Sequence, residues 1–351
     1  MRNAAHPSNP SLLLPLMFLL AFLAPLQASA GHAVVHDWPN LPESLILGQV
    51  TGVGVDGDDN VFLFRRADRM LRPGKGDDDL GAALFLSTFR QTQPGEKILH
   101  DCVLKLDGQS GGLRDAWGSH MYLFPHGLTV DAANNVWLTD TQLHQVFKCD
   151  REGNVLMTLG EEGKPGADGT HFNAPTDVAV AADGTFYVAD GYGNSRVAKF
   201  DKEGKYLLEW GSPGGGPGQF SNPHGISLDS IGNVYVADRY NARIQVFDAA
   251  GKFLAEWKSE ELGRPWSICI RNESAYIVDG GDQDPKTAPR SRLIVCDLTG
   301  KVLEKWGQYG NRDGQMVFPH DLAVDSQGNI YAGEVHYGMR IQKFIPSNQG
   351  E

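Results

Sequence analysis

From residue 47 onward, apolar residues come in short runs, each closed by glycine, aspartate or asparagine. The clearest stretch reads Asp177-Val178-Ala179-Val180, a turn at Asp183-Gly184, Phe186-Tyr187-Val188-Ala189-Asp190 and Arg196-Val197-Ala198-Lys199-Phe200, then a turn at Glu203-Gly204 and Leu207-Leu208-Glu209-Trp210. Four such runs joined by tight turns predict a β-meander. The same order of events returns with a period of about fifty residues. Units open near residues 47, 124, 174, 222, 264 and 318. Six four-stranded repeats arranged radially make an all-β, six-bladed β-propeller, which leaves only short, protected sheet edges. The last unit stops after Ile341-Gln342-Lys343-Phe344 and lacks a fourth strand. The run Val34-Val35-His36-Asp37-Trp38 resembles Leu254-Ala255-Glu256-Trp257 of another unit and is expected to close the ring onto the last blade.

Two stretches break the period: an insertion from Arg65 to about Glu96, with Asp77-Asp78-Asp79, and a second from Gly280 to Pro289. Inserts of this kind project from one end of a propeller and often shape a site. Asp56-Gly57-Asp58-Asp59-Asn60 has the opening of a calcium-binding loop. Asp131-Ala132-Ala133-Asn134-Asn135 and Asp229-Ser230-Ile231-Gly232-Asn233 fill the same place elsewhere, so an ordinary turn is expected.

The first thirty residues stand apart. Arg2, the apolar run Leu12 to Leu23 and the small residues Ala28-Ser29-Ala30 have the layout of a secretory signal peptide cut near Ala30. The run is short for a membrane span, so no stable membrane insertion is expected. Residues 31–351 are then a single propeller domain, secreted or periplasmic. The whole chain carries a formal charge of −12, and the leader holds Arg2 and no acid. Such a balance disfavours nucleic-acid binding, which needs a concentrated basic surface. Cys102, Cys149, Cys269 and Cys296 have no CxxC spacing. Export permits disulfides; Cys269 with Cys296 is the pair expected to form if any does.

The period carries chemistry. Phe124-Pro125-His126-Gly127-Leu128, Asn222-Pro223-His224-Gly225-Ile226 and Phe318-Pro319-His320-Asp321-Leu322 repeat one frame, with the histidines 98 and 96 residues apart. Midway, Ala174-Pro175-Thr176-Asp177-Val178 and Arg264-Pro265-Trp266-Ser267-Ile268 keep the frame without histidine. First strands of propeller blades line the central channel, so histidines of alternate blades converge on its axis. Three neutral imidazoles and one open position make a catalytic zinc site, although imidazole also suits iron, copper and nickel. Tyr192 and Arg239 follow the second strands of adjacent units. A loop tyrosine beside cations can act as a general base, and an arginine can clamp a carboxylate.

The three Pro-His frames, together with Leu143-His144-Gln145-Val146-Phe147-Lys148, Pro175-Thr176-Asp177-Val178-Ala179-Val180 and Asp190-Gly191-Tyr192 with Asn194-Ser195-Arg196, resemble peptidyl-α-hydroxyglycine α-amidating lyase, a propeller of six NHL-type blades. The resemblance spans roughly Gly48 to Phe344. It implies cleavage of the C–N bond of a peptidyl-α-hydroxyglycine to a peptide amide and glyoxylate. It also implies zinc on His126, His224 and His320, Tyr192 as base, and Arg66 and Arg239 as active-site arginines. A structural calcium is implied on the carbonyls of Val53 and Leu128 with the carboxylate of Asp321. The family's cysteine pairs are absent, with Asn173, Gly193, Tyr235 and Val246 at matching positions, and Phe318 replaces a methionine bordering the site. A separate monooxygenase is the expected source of a peptide substrate. Two other readings stay open: a lyase on a small, ureidoglycolate-like carbinolamide, and a non-catalytic propeller that binds peptide or protein. A lactonase-type hydrolase has only fold analogy behind it.

Overall fold

The computed structural model describes Met1 and residues 31–69, 95–282 and 289–347. The proposed leader, Asp77-Asp78-Asp79 and most of both insertions lie outside the described residues. Gly31–Glu351 forms one unit, in which six four-stranded antiparallel sheets are arranged as blades. Their first strands, Val50–Val55, Pro125–Val130, Pro175–Val180, Pro223–Leu228, Pro265–Arg271 and Pro319–Val324, pack against one another in a closed ring.

Alternation within each strand sends apolar side chains into the gaps between blades. Six buried clusters fill these gaps. Between blades one and two, for example, Phe62, Phe64, Val136 and Leu138 are fully buried. Burial of each such side chain stabilises by about 1.5–3 kcal/mol. Further out, the tryptophan ending one blade packs on the turn glycine of the next: Trp117 on Gly153, Trp210 on Gly251 and Trp257 on Gly300. These glycines have φ of 89°, 81° and 86°, and a Cβ would lie within 2.4–2.6 Å of the indole. Backbone handedness and close approach both require glycine there.

The ring closes as expected, with shifted bounds. The N-terminal strand is His32–Val34, paired antiparallel with Ile341–Pro346. Val35 still donates to the Lys343 carbonyl at 2.8 Å, whereas His36, Asp37 and Trp38 leave the sheet. Trp38 instead caps the seam between blades six and one, 5.1 Å from Tyr331. Asp56 makes the ordinary turn: its Oδ1 accepts from the backbone N–H groups of Asp58 and Asn60, as Asp131 Oδ1 does from Ala133 and Asn135. The cysteine pairing is overturned, since all four cysteines are free. Cys269 opposes Tyr276 and Cys296 opposes Ala275, so the strand Ser274–Asp279 stands between the two thiols.

Two local devices position the site. Every first strand carries a register shift at its start, between Pro175 and Asp177 in blade three, at the matching place in four others, and between Pro125 and Leu128 in blade two. The residue inside the shift is Thr51, His126, Thr176, His224, Trp266 or His320. A bulge re-aims a side chain, and in blades two, four and six it aims the histidine at the axis. The second device is the acid closing the second strand. Asp140 Oδ2 accepts from the N–H groups of Leu123 and Phe124, and its Oδ1 from those of Gln142 and Leu143. Asp190 and Asp238 hold Asn173 and Ser221 likewise. One buried carboxylate thus ties each Pro-x frame to the loop after the second strand.

Candidate active site

The three histidines meet. Their ring centroids lie 4.7, 4.7 and 4.8 Å apart, all three are buried, and their ligand nitrogens lie within 4.8 Å of one another. Each Nδ1 faces a backbone carbonyl of the next blade at 2.7 Å: His126 to Thr176, His224 to Trp266 and His320 to Thr51. A carbonyl only accepts, so Nδ1 carries the proton and Nε2 presents a lone pair to the axis. Gly127 and Gly225 allow this reach, because a Cβ at either would fall within 2.4–2.8 Å of the neighbouring strand. Burial first, then the surrounding positive groups, hold the imidazoles neutral: His126 is pushed down to about 3, and His224 and His320 also lie well below the ordinary value.

The Tyr192 hydroxyl sits 3.2 Å from His126 Nε2 and 3.1 Å from His224 Nε2. One phenolic hydrogen cannot satisfy three convergent lone pairs. A cation on the axis can, so the donor set fits a metal ion held by His126, His224 and His320. Arg239 donates to the same hydroxyl at 3.3 Å and lies 3.5 Å over the Trp266 ring. Arg66 donates to the Pro125 carbonyl at 3.1 Å and Gln49 Oε1 at 2.7 Å, with its guanidinium 3.8 Å over Phe124. Both guanidinium groups are buried, and desolvation lowers both, Arg66 to about 10. Arg65 turns away to the Ile46 and Leu47 carbonyls, leaving Arg66 as the arginine at the site. Tyr192, Arg66, Arg239, His320 and Trp266 line one cavity of about 400 Å³. The Tyr192 ring is 43% exposed, which leaves its face open to a ligand.

One register along, Gly52, Gly127, Asp177, Gly225, Ser267 and Asp321 form the next layer of the channel. Asp321 accepts from the Val53 N–H at 2.8 Å and the Ser267 hydroxyl at 2.5 Å, and Asp177 accepts from the Ile226 N–H at 3.0 Å. Val53 and Leu128 line the same cavity of about 290 Å³. Burial, then the charge of Asp321, drives Asp177 well above the carboxylate range; burial raises Asp321 to about 6. Two half-buried carboxylates among backbone oxygens suit a hard cation. Asp177 was not among the expected ligands. Its signal was the alignment of Pro175-Thr176-Asp177 with Pro319-His320-Asp321. Trp266 and Gln49, which seat the two arginines, carried no comparable signal.

Fold and axial cluster define the class, an NHL-repeat propeller: the NHL repeat model matches residues 172–200 and 220–247. A gluconolactonase from Xanthomonas campestris has the same architecture, with a TM-score of 0.55 at 13% identity over 86% of this chain and 87% of that one. Streptogramin B lyase gives 0.53 at 13% identity over 86% and 94%. At that identity the likeness concerns the fold alone. Sequence relatives are more specific. Peptidyl-alpha-hydroxyglycine alpha-amidating lyase 2 of Drosophila melanogaster is 30% identical over 373 residues, 98% of this chain and 86% of that protein. Peptidylglycine alpha-amidating monooxygenase of Rattus norvegicus is 34% identical over 86% of this chain, which spans only 30% of that longer protein. The chain belongs to the peptidyl-α-hydroxyglycine α-amidating lyase family and is a carbon–nitrogen lyase.

Proposed function

We propose that the chain cleaves peptides ending in α-hydroxyglycine to a peptide amide and glyoxylate. The observation carrying this reading is the convergence of Tyr192, two buried guanidinium groups and the histidine cluster on one cavity. Arg66 and Arg239 receive the substrate carboxylate, a planar acceptor that matches their forked donors. Tyr192, as the phenolate, takes the proton of the substrate hydroxyl and becomes the phenol. The freed electron pair forms the carbonyl of glyoxylate, the C–N bond breaks, and its pair goes to the amide nitrogen. That nitrogen then takes up one proton, so the reaction needs no net acid or base. A zinc ion on His126, His224 and His320 would supply polarisation of the substrate oxygen. A calcium ion on Asp321, Asp177 and the carbonyls of Val53 and Leu128 would neutralise the lower layer.

The test is glyoxylate release from an α-hydroxyglycine-capped peptide, with and without chelation. Metal-dependent release is expected; absence of release from metal-loaded protein would overturn the substrate assignment. The same reading has the chain exported after cleavage near Ala30 and supplied by a separate monooxygenase. Mass spectrometry of exported protein should show a chain starting at Gly31, and a retained leader would contradict export by cleavage.

A further inference from the structure

Three blades place a polar side chain directly ahead of the first strand: Gln49, Asn222 and Arg264. Two of these have partners. Gln49 Oε1 accepts from Arg66 at 2.7 Å, and Arg264 donates to the Arg239 carbonyl at 2.8 Å. Asn222 differs. It is only 5% exposed, and neither its Nδ2 nor its Oδ1 has a hydrogen-bond partner among the described residues. A buried carboxamide with both ends unused has given up water and gained nothing in return, which folded proteins rarely tolerate without a reason.

The space that Asn222 lines adjoins the catalytic cavity without being part of it. A groove of about 480 Å³ lies between the loops of blades three and four, and Tyr192 and Tyr240 line both spaces. Both rings are exposed, by 43% and 54%. On the blade-three side, Gly191 stands where Arg239 stands in blade four, one residue past the acid that ends the second strand. A Cβ at Gly191 would lie 3.1 Å from Asn222 Oδ1 and 1.9 Å from the Pro223 carbonyl oxygen. Any side chain there would close over the carboxamide; glycine leaves it uncovered.

The walls of the groove are fixed. Asn194 gives its amide hydrogens to the Gly166 carbonyl and Asp190 Oδ2, and Asn241 gives its own to the Gly214 carbonyl and Asp238 Oδ2. Asn222 is the carboxamide of this groove whose donor and acceptor are both unused. A planar group offering N–H and C=O side by side matches a peptide group, which offers the same pair.

We propose that the peptide chain upstream of the hydroxyglycine crosses between Tyr192 and Tyr240 into this groove, where Asn222 pairs with the N–H and C=O of one backbone peptide group. The inference rests on the lyase reading. A contact to backbone selects for chain length and not for side chains, and a small carbinolamide is too short to make it.

The experiment compares kcat/KM for N-acetyl-α-hydroxyglycine with acetylated oligoglycines of increasing length ending in α-hydroxyglycine. Glycine chains hold side-chain burial constant across the series. One step in length should raise kcat/KM by roughly 10- to 100-fold, the contribution of two hydrogen bonds, carried mainly by KM. N-methylation of the peptide nitrogen added at that step should remove most of the gain in the wild-type protein. Asn222 has φ of 72°, which glycine adopts freely. Asn222→Gly should therefore fold, as circular dichroism would show, and bring the long-to-short ratio to within about threefold of unity. Turnover of all lengths at a flat wild-type kcat/KM, a gain untouched by N-methylation at any bond, or a gain that survives in Asn222→Gly overturns the groove and leaves the lyase reading intact. No turnover of any substrate, N-acetyl-α-hydroxyglycine included, overturns both.

Discussion

Replacing Tyr192 by phenylalanine removes one oxygen and little else. The ring keeps its edge contacts with His126 and His224, at 5.1 and 5.6 Å between centroids. What disappears is a hydroxyl within 3.1–3.3 Å of two imidazole nitrogens and the Arg239 guanidinium. As structure, those contacts are worth about 1 kcal/mol, because a half-exposed group trades protein for water partners. A loss of that size lowers Tm by a few degrees at most. As a general base, the same oxygen contributes about 10²- to 10⁴-fold, or roughly 3–5.5 kcal/mol of barrier. The two roles separate cleanly in magnitude. Steady-state glyoxylate release should show kcat down by at least about 100-fold. KM should stay within about threefold of wild type, since both arginines remain. Metal content by plasma mass spectrometry should be unchanged. A variant retaining more than about a tenth of wild-type kcat would refute proton abstraction by Tyr192.

Other perturbations probe the same architecture. His224→Ala should abolish axial metal binding while circular dichroism stays native; full metal content would move the ion off the histidines. Val35→Pro removes the donor to Lys343 at the closing strand and should cost about 2–3 kcal/mol, read as an earlier urea midpoint; an unchanged midpoint would show that the seam needs no such bond. His336 is held down to about 4 by burial first, then by Arg66 and Arg239, against about 6.5 unfolded. The unfolded chain therefore binds more protons between those values, and stability present above pH 6.5 is lost as pH falls toward 4. After allowance for partial exposure, the loss is about 1–3 kcal/mol. His336→Gln should flatten the dependence of Tm on pH in that window, and parallel curves would refute it.

Much of this was legible in the sequence because a propeller turns spacing into position. One frame repeated around a ring places every copy at one depth, so three histidines at 98 and 96 residue intervals had to converge. The unread parts are those where the period gives place but not facing. Asp177 sat in a frame read as lacking its histidine, although its next register matched Asp321. Arg66 was named through the resemblance alone, and the strand end at Arg65 supplies the physical reason that Arg66 and not its neighbour lines the cavity. Cys269 and Cys296 looked like partners within one repeat, but the intervening strand holds them apart. His336 stands where Tyr192 stands in another blade, yet Glu334-Val335-His336 has no visible likeness to Asp190-Gly191-Tyr192 until the acids are superposed as strand ends.

The seam has a consequence for when the chain can act. Blade six is built from the earliest strand, His32–Val34, and the latest, Ile341–Pro346, and the His320 tautomer is set by Thr51 across that same join. A chain clipped before its last strand still carries His320 and Thr51, but blade six then lacks Ile341–Pro346, the strand that pairs with His32–Val34 and closes the ring around them. Chemistry at the axis therefore reports that the polypeptide has met its own beginning. Turnover is then expected to fall in copies whose seam has not closed, even though all three histidines are present in them.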